Sequence, residues 1–116
     1  MRFAFSDEQL AMRDAVCAFL ENECPPEVVR GAWTNDTGRS GLWPKLGEMG
    51  VLGVLAPEEH GGFGGDELDL VLLLEETGRA ALPEPVVEHA AVAVPLLDDE
   101  RASAAAAGDL TITVVP

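Results

Sequence analysis

The stretch that most constrains this chain is Ala56 to Gly65, which reads Ala-Pro-Glu-Glu-His-Gly-Gly-Phe-Gly-Gly. Four glycines within five positions fit a backbone that takes positive φ or passes close to another surface, since glycine has no Cβ to clash. A flexible spacer would be rich in serine and glycine and would lack anchors. Here Pro57 fixes the entry and Phe63 offers an apolar side chain that can dock on a core. The stretch therefore reads as a shaped loop, with helices leading in and helices leading out.

Two phosphate-binding readings of the loop fail on residue identity. If Val51 to Leu55 were a strand feeding Gly62-Phe63-Gly64-Gly65, the third glycine of a dinucleotide fingerprint would fall at Glu67, and a carboxylate there would face the pyrophosphate. The following helix begins Asp66-Glu67-Leu68-Asp69, so acidic side chains already meet its positive end. No Gly-Lys-Ser/Thr ending is present, which removes a P-loop.

The flanking segments read as helices. Ser6 is placed to cap the first, with Gln9 as its capping-box partner and Phe5 able to staple onto Leu10. Leu10, Val16, Cys17, Leu20 and Cys24 keep a helical period up to Pro25-Pro26, and Asp7, Glu8, Asp14 and Glu21 form a solvent face. After Pro26 the pattern supports one helical turn over Glu27 to Gly31, then a polar loop from Thr34 to Gly38. In the second helix Ser40 is the expected cap, Pro44 falls within or near the first turn, Gly50 is the left-handed stop, and Trp43, Leu46 and Met49 are buried.

A third helix starts at Asp66 and carries Leu70-Val71-Leu72-Leu73-Leu74, which predicts cover on every side. Glu75 and Glu76 at its end oppose the helix dipole, so Arg79 or another partner is expected to offset them. Pro83-Glu84-Pro85 opens a fourth helix, Val86 to Leu97, with a strip of small and branched residues at Val87, Ala90, Ala91 and Val94; Pro95 should kink it or end it. Asp98 or Asp99 caps a fifth, which runs through Ala104 to Ala107 and stops at Gly108. Leu110 to Val115 alternates or is β-branched and reads as one strand. One strand has nothing to pair with, so a partner sheet outside the chain is implied. The expected layout is a helical domain over 1–108 and the first strand of a truncated β domain over 109–116.

The order of these elements carries a resemblance. A helix with Leu42-Trp43-Pro44-Lys45-Leu46, then Gly50-Val51-Leu52-Gly53, then the loop from Pro57 to Gly65, then an apolar helix ending Glu75-Glu76, resembles the N-terminal helical domain of the acyl-CoA dehydrogenase family, from Phe5 to Leu110. The resemblance implies an all-α bundle of about five helices that ends in the first strand of a missing middle β domain. It also implies a parent reaction in which α and β hydrogens leave an acyl-CoA thioester and a hydride passes to FAD. In that family FAD is held mainly by the middle and C-terminal domains, and the α-proton is taken by a carboxylate of the third. The resemblance thus implies that this chain has no catalytic base, binds no FAD tightly by itself and is inactive alone. Its part would be to shape the acyl pocket and exclude water.

In the family the matching fourth helix lines the acyl-chain cavity, which raises Val87 and Ala91 as candidate substrate-wall residues. Read from the residues alone, the same small side chains serve close packing. The partners implied are an acyl-CoA substrate in the complete enzyme and a homo- or hetero-oligomer. A rival reading is a non-catalytic helical interaction module, or the helical part of a subunit in a mixed assembly. A third is a bundle that binds a small apolar ligand along the Val/Ala strip.

Composition narrows the partners. Seven basic against 21 acidic residues give a formal charge of −14, which disfavours nucleic acid and anionic lipid. With no secretory leader and no apolar run of membrane-spanning length, a cytoplasmic protein is the expectation, and the sequon Asn35-Asp36-Thr37 is then chance. Cys17 and Cys24, seven apart, lie on one helical face and read as reduced core thiols, protonated and inert rather than nucleophilic. His60 and His89 have acidic neighbours but no Glu-x-x-His spacing, and no zinc pattern exists. No catalytic, cofactor-binding or metal-ligating residue is therefore expected.

Overall fold

The computed structural model describes residues 4–114, and among them the fold is helical with no strand. Five α-helices are present: α1 (Asp7–Glu23), α2 (Pro26–Thr34), α3 (Trp43–Glu48), α4 (Glu67–Arg79) and α5 (Asp99–Ala107). Between α4 and α5 lies a π-helical segment, Val87–Ala93, continued by a 3₁₀ turn at Val94–Leu96. Pro95 thus falls where the wide helix tightens and ends.

α1 starts as its sequence requires. Ser6 Oγ accepts from the Gln9 N–H at 3.1 Å, and Gln9 Oε1 accepts from the Ser6 N–H at 2.8 Å. α2 is longer than the single turn expected over Glu27 to Gly31. Pro26 occupies its first position, where a missing N–H costs nothing, and Val29 and Ala32 give it a buried face. Asn35 then shapes the polar loop: its Oδ1 accepts from the Thr37 and Gly38 N–H groups at 3.0 and 2.6 Å, and its Nδ2 donates to Arg39 O at 2.9 Å. Leu42, not Ser40, is the cap residue of α3, although Ser40 Oγ still accepts from the Leu42 N–H at 3.2 Å. Gly50 makes the expected left-handed stop at φ 84°.

α4 runs to Arg79, beyond the expected end at Glu76, and Arg79 lies 3.5 Å from the Glu76 carboxylate. The expectation of cover on every side is corrected. Leu70, Leu72 and Leu73 are buried, but Leu68 is 62% and Val71 44% exposed, because α1 packs along one side only. The glycine loop is tied down by backbone bonds to the segment before it: Phe63 N–H to Gly53 O, Gly64 N–H to Ala56 O and Gly65 N–H to Val54 O, at 2.9, 2.8 and 2.8 Å. Gly62 lies so close to the Ala56 carbonyl that a Cβ would have no room. Phe63 does not dock on the core; it is 60% exposed at the loop surface.

Two clusters form the interior. The larger joins α1, α2, α3, α4 and the 3₁₀ turn at Val51–Gly53, with Leu46, Val51, Leu52 and Leu73 at its centre. The smaller gathers Ala56, Val94, Ala105 and Ala106, with Leu97 and Ile112 against it. The strand expected over Leu110 to Val115 is not present among the described residues, Val115 and Pro116 lying outside them. A strand is defined by a ladder, and none of the neighbouring elements offers one. The segment is held instead by Ile112, which packs on the smaller cluster and donates its N–H to His89.

Candidate functional site

The π-helical segment gets its placement from what lies beneath it. At its entry the Glu84 side chain is fully buried, and its carboxylate accepts from Arg39 Nε at 3.1 and 3.2 Å and from the Ser40 N–H at 3.3 Å. The Arg39 guanidinium, 2.9 Å from Glu84 through Nη2, stands 5.1 Å over the Trp43 ring. Trp43 in turn meets His89 edge to face, with ring centroids 4.9 Å apart at 85°.

His89 is completely buried. The Ile112 N–H can only donate, so Nδ1, 3.1 Å away, is the acceptor, and the ring proton sits on Nε2, which donates to Ala105 O at 2.9 Å. Burial pushes the imidazole below its usual range, and the Ala105 carbonyl offsets this only in part. His89 therefore binds three parts of the fold together as a neutral ring.

Val87 and Ala91 lie on the same π-helical segment as His89. In a π-helix the repeat is longer than in an α-helix, so residues four apart come nearly one above the other. Val87 is 48% exposed, whereas Ala91 is half-buried against the main core. Val92 adds further exposed apolar surface to the same segment, and Leu96 to the 3₁₀ turn that follows it. None of the three grooves described next includes Val87 or Ala91.

One groove, about 570 Å³, runs between α1, α2 and the end of α4, with Cys17, Cys24, Glu76 and the exposed Trp33 around it. Both thiols are held protonated. Burial raises the Cys17 thiol most, the neighbouring Glu76 and Glu21 raise it further, and burial also raises Cys24. A second groove of about 140 Å³ lies where Gln9, Met12, Met49, Phe63 and Asp69 meet. The third, about 460 Å³, is bordered by Arg39, Glu84, Thr111 and Thr113.

Among the described residues no group of three or more His, Cys, Asp or Glu side chains is placed to hold a metal ion. His60 is near Asp99 and Glu59, at 3.1 and 3.8 Å, which joins the glycine loop to the start of α5. The N-terminus of α4 is closed to an anion, since Asp66 Oδ1 accepts from the Leu68 and Asp69 N–H groups at 3.0 and 3.2 Å. No helix among the described residues is long and apolar enough to cross a membrane. The roles of His89 and Glu84 are new from the structure. Their partners stand 16 and 23 residues away for His89, and 45 for Glu84, so no local spacing announces them.

Residues 6–99 match the model of the acyl-CoA dehydrogenase N-terminal domain. The chain is 36% identical over 98 residues to an acyl-CoA dehydrogenase, IpdE2, of Mycolicibacterium smegmatis, covering 83% of this chain and 32% of that protein. It is also 36% identical over 77 residues to the mitochondrial isovaleryl-CoA dehydrogenase of Pongo abelii, covering 66% of this chain and 18% of that protein. Among solved structures, a chain of the ChsE4-ChsE5 complex from Mycobacterium tuberculosis superposes with a TM-score of 0.85 at 26% identity, over 97% of this chain and 34% of that one. The chain thus spans about a third or less of the length of these relatives.

Proposed function

The chain belongs to the acyl-CoA dehydrogenase family through its N-terminal domain, and from that premise we propose that it forms the helical side of the acyl pocket in an FAD-dependent enzyme that removes the α and β hydrogens of an acyl-CoA thioester. The observation that carries this reading is the match over residues 6–99. What the local geometry adds is that Val87 and Ala91 share the π-helical segment and that Val87 leaves apolar surface uncovered there.

A wall of this kind acts by shape and by drying. Apolar side chains against the acyl tail displace water, and a dry pocket strengthens the electrostatic interactions that assist α-proton removal. The residues described here do not fit the flavin pyrophosphate. The leading N–H groups of α4 are already taken by Asp66, and the chain carries a formal charge of −14. Flavin contacts and the proton-abstracting base are assigned to other parts of the complete enzyme, so the chain alone is expected to give no turnover.

A second reading, the helical part of a subunit in a mixed assembly, is favoured by the similarity to a chain of the ChsE4-ChsE5 complex. It keeps the same wall and changes only where the missing parts come from. The test is to place Phe at Val87 and at Ala91 in the assembled enzyme and measure a series of acyl-CoA lengths. A shift of the length profile toward shorter chains supports the wall. An unchanged profile contradicts it.

A further inference from the structure

Four parts of the fold meet at one imidazole: α3 through Trp43, α5 through Ala105, the segment after α5 through Ile112, and the π-helical segment that carries the ring. We infer that His89 is a pH-sensitive latch, which holds the segment around Ile112 against the helix bearing Val87 and Ala91 while its ring is neutral and lets it go when the ring takes a proton. The inference stands apart from the acyl-pocket reading, since it concerns only contacts within this chain.

The two ring nitrogens respond differently to acid. Nε2 carries a proton in both states, so its bond to Ala105 O, 2.9 Å long, survives protonation and strengthens. Nδ1 is the only atom that can receive the added proton, and it faces the Ile112 N–H at 3.1 Å. Once Nδ1 is protonated two donors point at one another and the bond becomes a repulsion. Release is thus one-sided: α5 stays attached while the segment from Thr111 onward loses the bond that anchors Ile112.

Charge around the ring does not override this. On α3 the charged residues are Lys45 and Glu48; on α5 and its cap they are Asp98, Asp99, Glu100 and Arg101, with Asp109 after it; all are exposed. On α4, which also packs on the π-helical segment, Glu67 and Glu75 are exposed, Asp69 is bonded to Gln9, and Glu76 is paired with the exposed Arg79. Glu88, on the ring's own helix, is half-buried, and Glu84 is engaged by Arg39. None of them forms a hydrogen bond or an ion pair with the ring, whose polar contacts are Ala105 O and the Ile112 N–H. Desolvation therefore governs the titration, and it keeps the ring neutral at neutral pH. The segment itself supports reversible release, because Thr111 and Ile112 are half-buried and Thr113 and Val114 exposed; besides Ile112 it keeps few apolar contacts and one long bond, from Arg39 Nη2 to Thr111 Oγ1 at 3.5 Å.

The test is nitrogen-15 NMR of the imidazole together with amide exchange of the full 116-residue chain, across an acid titration. The expected result is the Nε2–H tautomer at neutral pH and an Ile112 amide protected there. One pH unit below the ring's midpoint the neutral, latched fraction is down by about tenfold, and Ile112 protection falls with it while Leu73 keeps its own. His89→Asn keeps an acceptor near the Nδ1 position and cannot be protonated, so Ile112 protection in that variant is expected to lose its dependence on the ring's titration. The Nδ1–H tautomer, an unprotected Ile112 at neutral pH, a ring that stays neutral until the whole chain unfolds, or Ile112 protection lost only together with that of Leu73 would each overturn the latch. The wild-type titration decides the matter even where the variant does not fold.

Discussion

Gln9 Nε2 donates to Asp69 Oδ1 across 2.8 Å, and this bond joins the starts of two helices sixty residues apart. Gln9 closes the capping box of α1 with Ser6, and Asp69 closes that of α4 with Asp66, accepting the Asp66 N–H at 2.9 Å. Two local signals are thereby fused into one tertiary contact, at the end of the α1–α4 pair beside the second groove.

Replacing Gln9 with Ala is expected to cost about 1–2 kcal/mol, the sum of a lost capping bond and a lost side-chain bond to a carboxylate. Urea denaturation at neutral pH measures it. Gln9→Glu places a like charge beside Asp69, so its penalty is expected to be larger at neutral pH and to shrink in acid.

The same pair sets an acid-side dependence. The Gln9 amide first, and the Asp66 backbone N–H second, hold the Asp69 carboxyl below its usual range. A depressed folded value means that the stabilisation is complete above the ordinary carboxylate value of about 3.9 and is lost as pH falls through the folded value. In Gln9→Ala this part of the acid transition is expected to flatten, which thermal melts at a series of acidic pH values would resolve.

His89 acts on the other side of that window. Its folded value lies below the ordinary imidazole value of about 6.5, so the unfolded chain binds more protons there and stability rises with pH. The contribution is complete above about 6.5 and declines as pH falls toward the lowered value. His89→Leu is expected to remove this slope and to cost about 2–4 kcal/mol at neutral pH, since Ala105 O and the Ile112 N–H lose their partner.

Two glycines should respond oppositely to alanine. A Cβ at Gly53 would stand 2.8 Å from the Ala106 Cβ, where α5 crosses the 3₁₀ turn, so Gly53→Ala is expected to destabilise by about 1–3 kcal/mol. At Gly31, inside α2, an added Cβ meets nothing within 4 Å, and Gly31→Ala is expected to stabilise by about 0.5–1 kcal/mol. Denaturant midpoints of the two variants give the comparison.

The groove thiol offers a chemical readout. Because Glu76 and Glu21 add to the burial that raises the Cys17 thiol, Glu76→Gln is expected to speed its modification by a disulfide reagent at a fixed mildly alkaline pH. An unchanged rate would show that Glu76 adds nothing and leave the shift to burial and Glu21.

Much of the fold was legible because its signals are local. Ser6 with Gln9, Asp66 ahead of an apolar run, Gly50 and Gly108 as left-handed stops, and Asp98 or Asp99 before α5 are each read within four residues; the structure uses the first four, and of the two aspartates it caps α5 with Asp98. The full length of α2 is not legible locally, because Gly31 and the paired prolines mask a helix whose stability comes from burying Val29 and Ala32. The exposure of Leu68, Val71 and Phe63 was not legible, since an apolar residue does not say what covers it. Glu84, Arg39, Trp43 and His89 form one network across the chain, and only tertiary structure could join them.

The proposed role concerns a complete enzyme, and the most direct measurement is a native mass spectrum of the protein purified from its own cells. Membership of a working dehydrogenase gives an assembly larger than this chain that carries the mass of bound flavin. A flavin-free species of 12.2 kDa, with no partner subunit, would contradict that account and leave a helical fold kept without the chemistry.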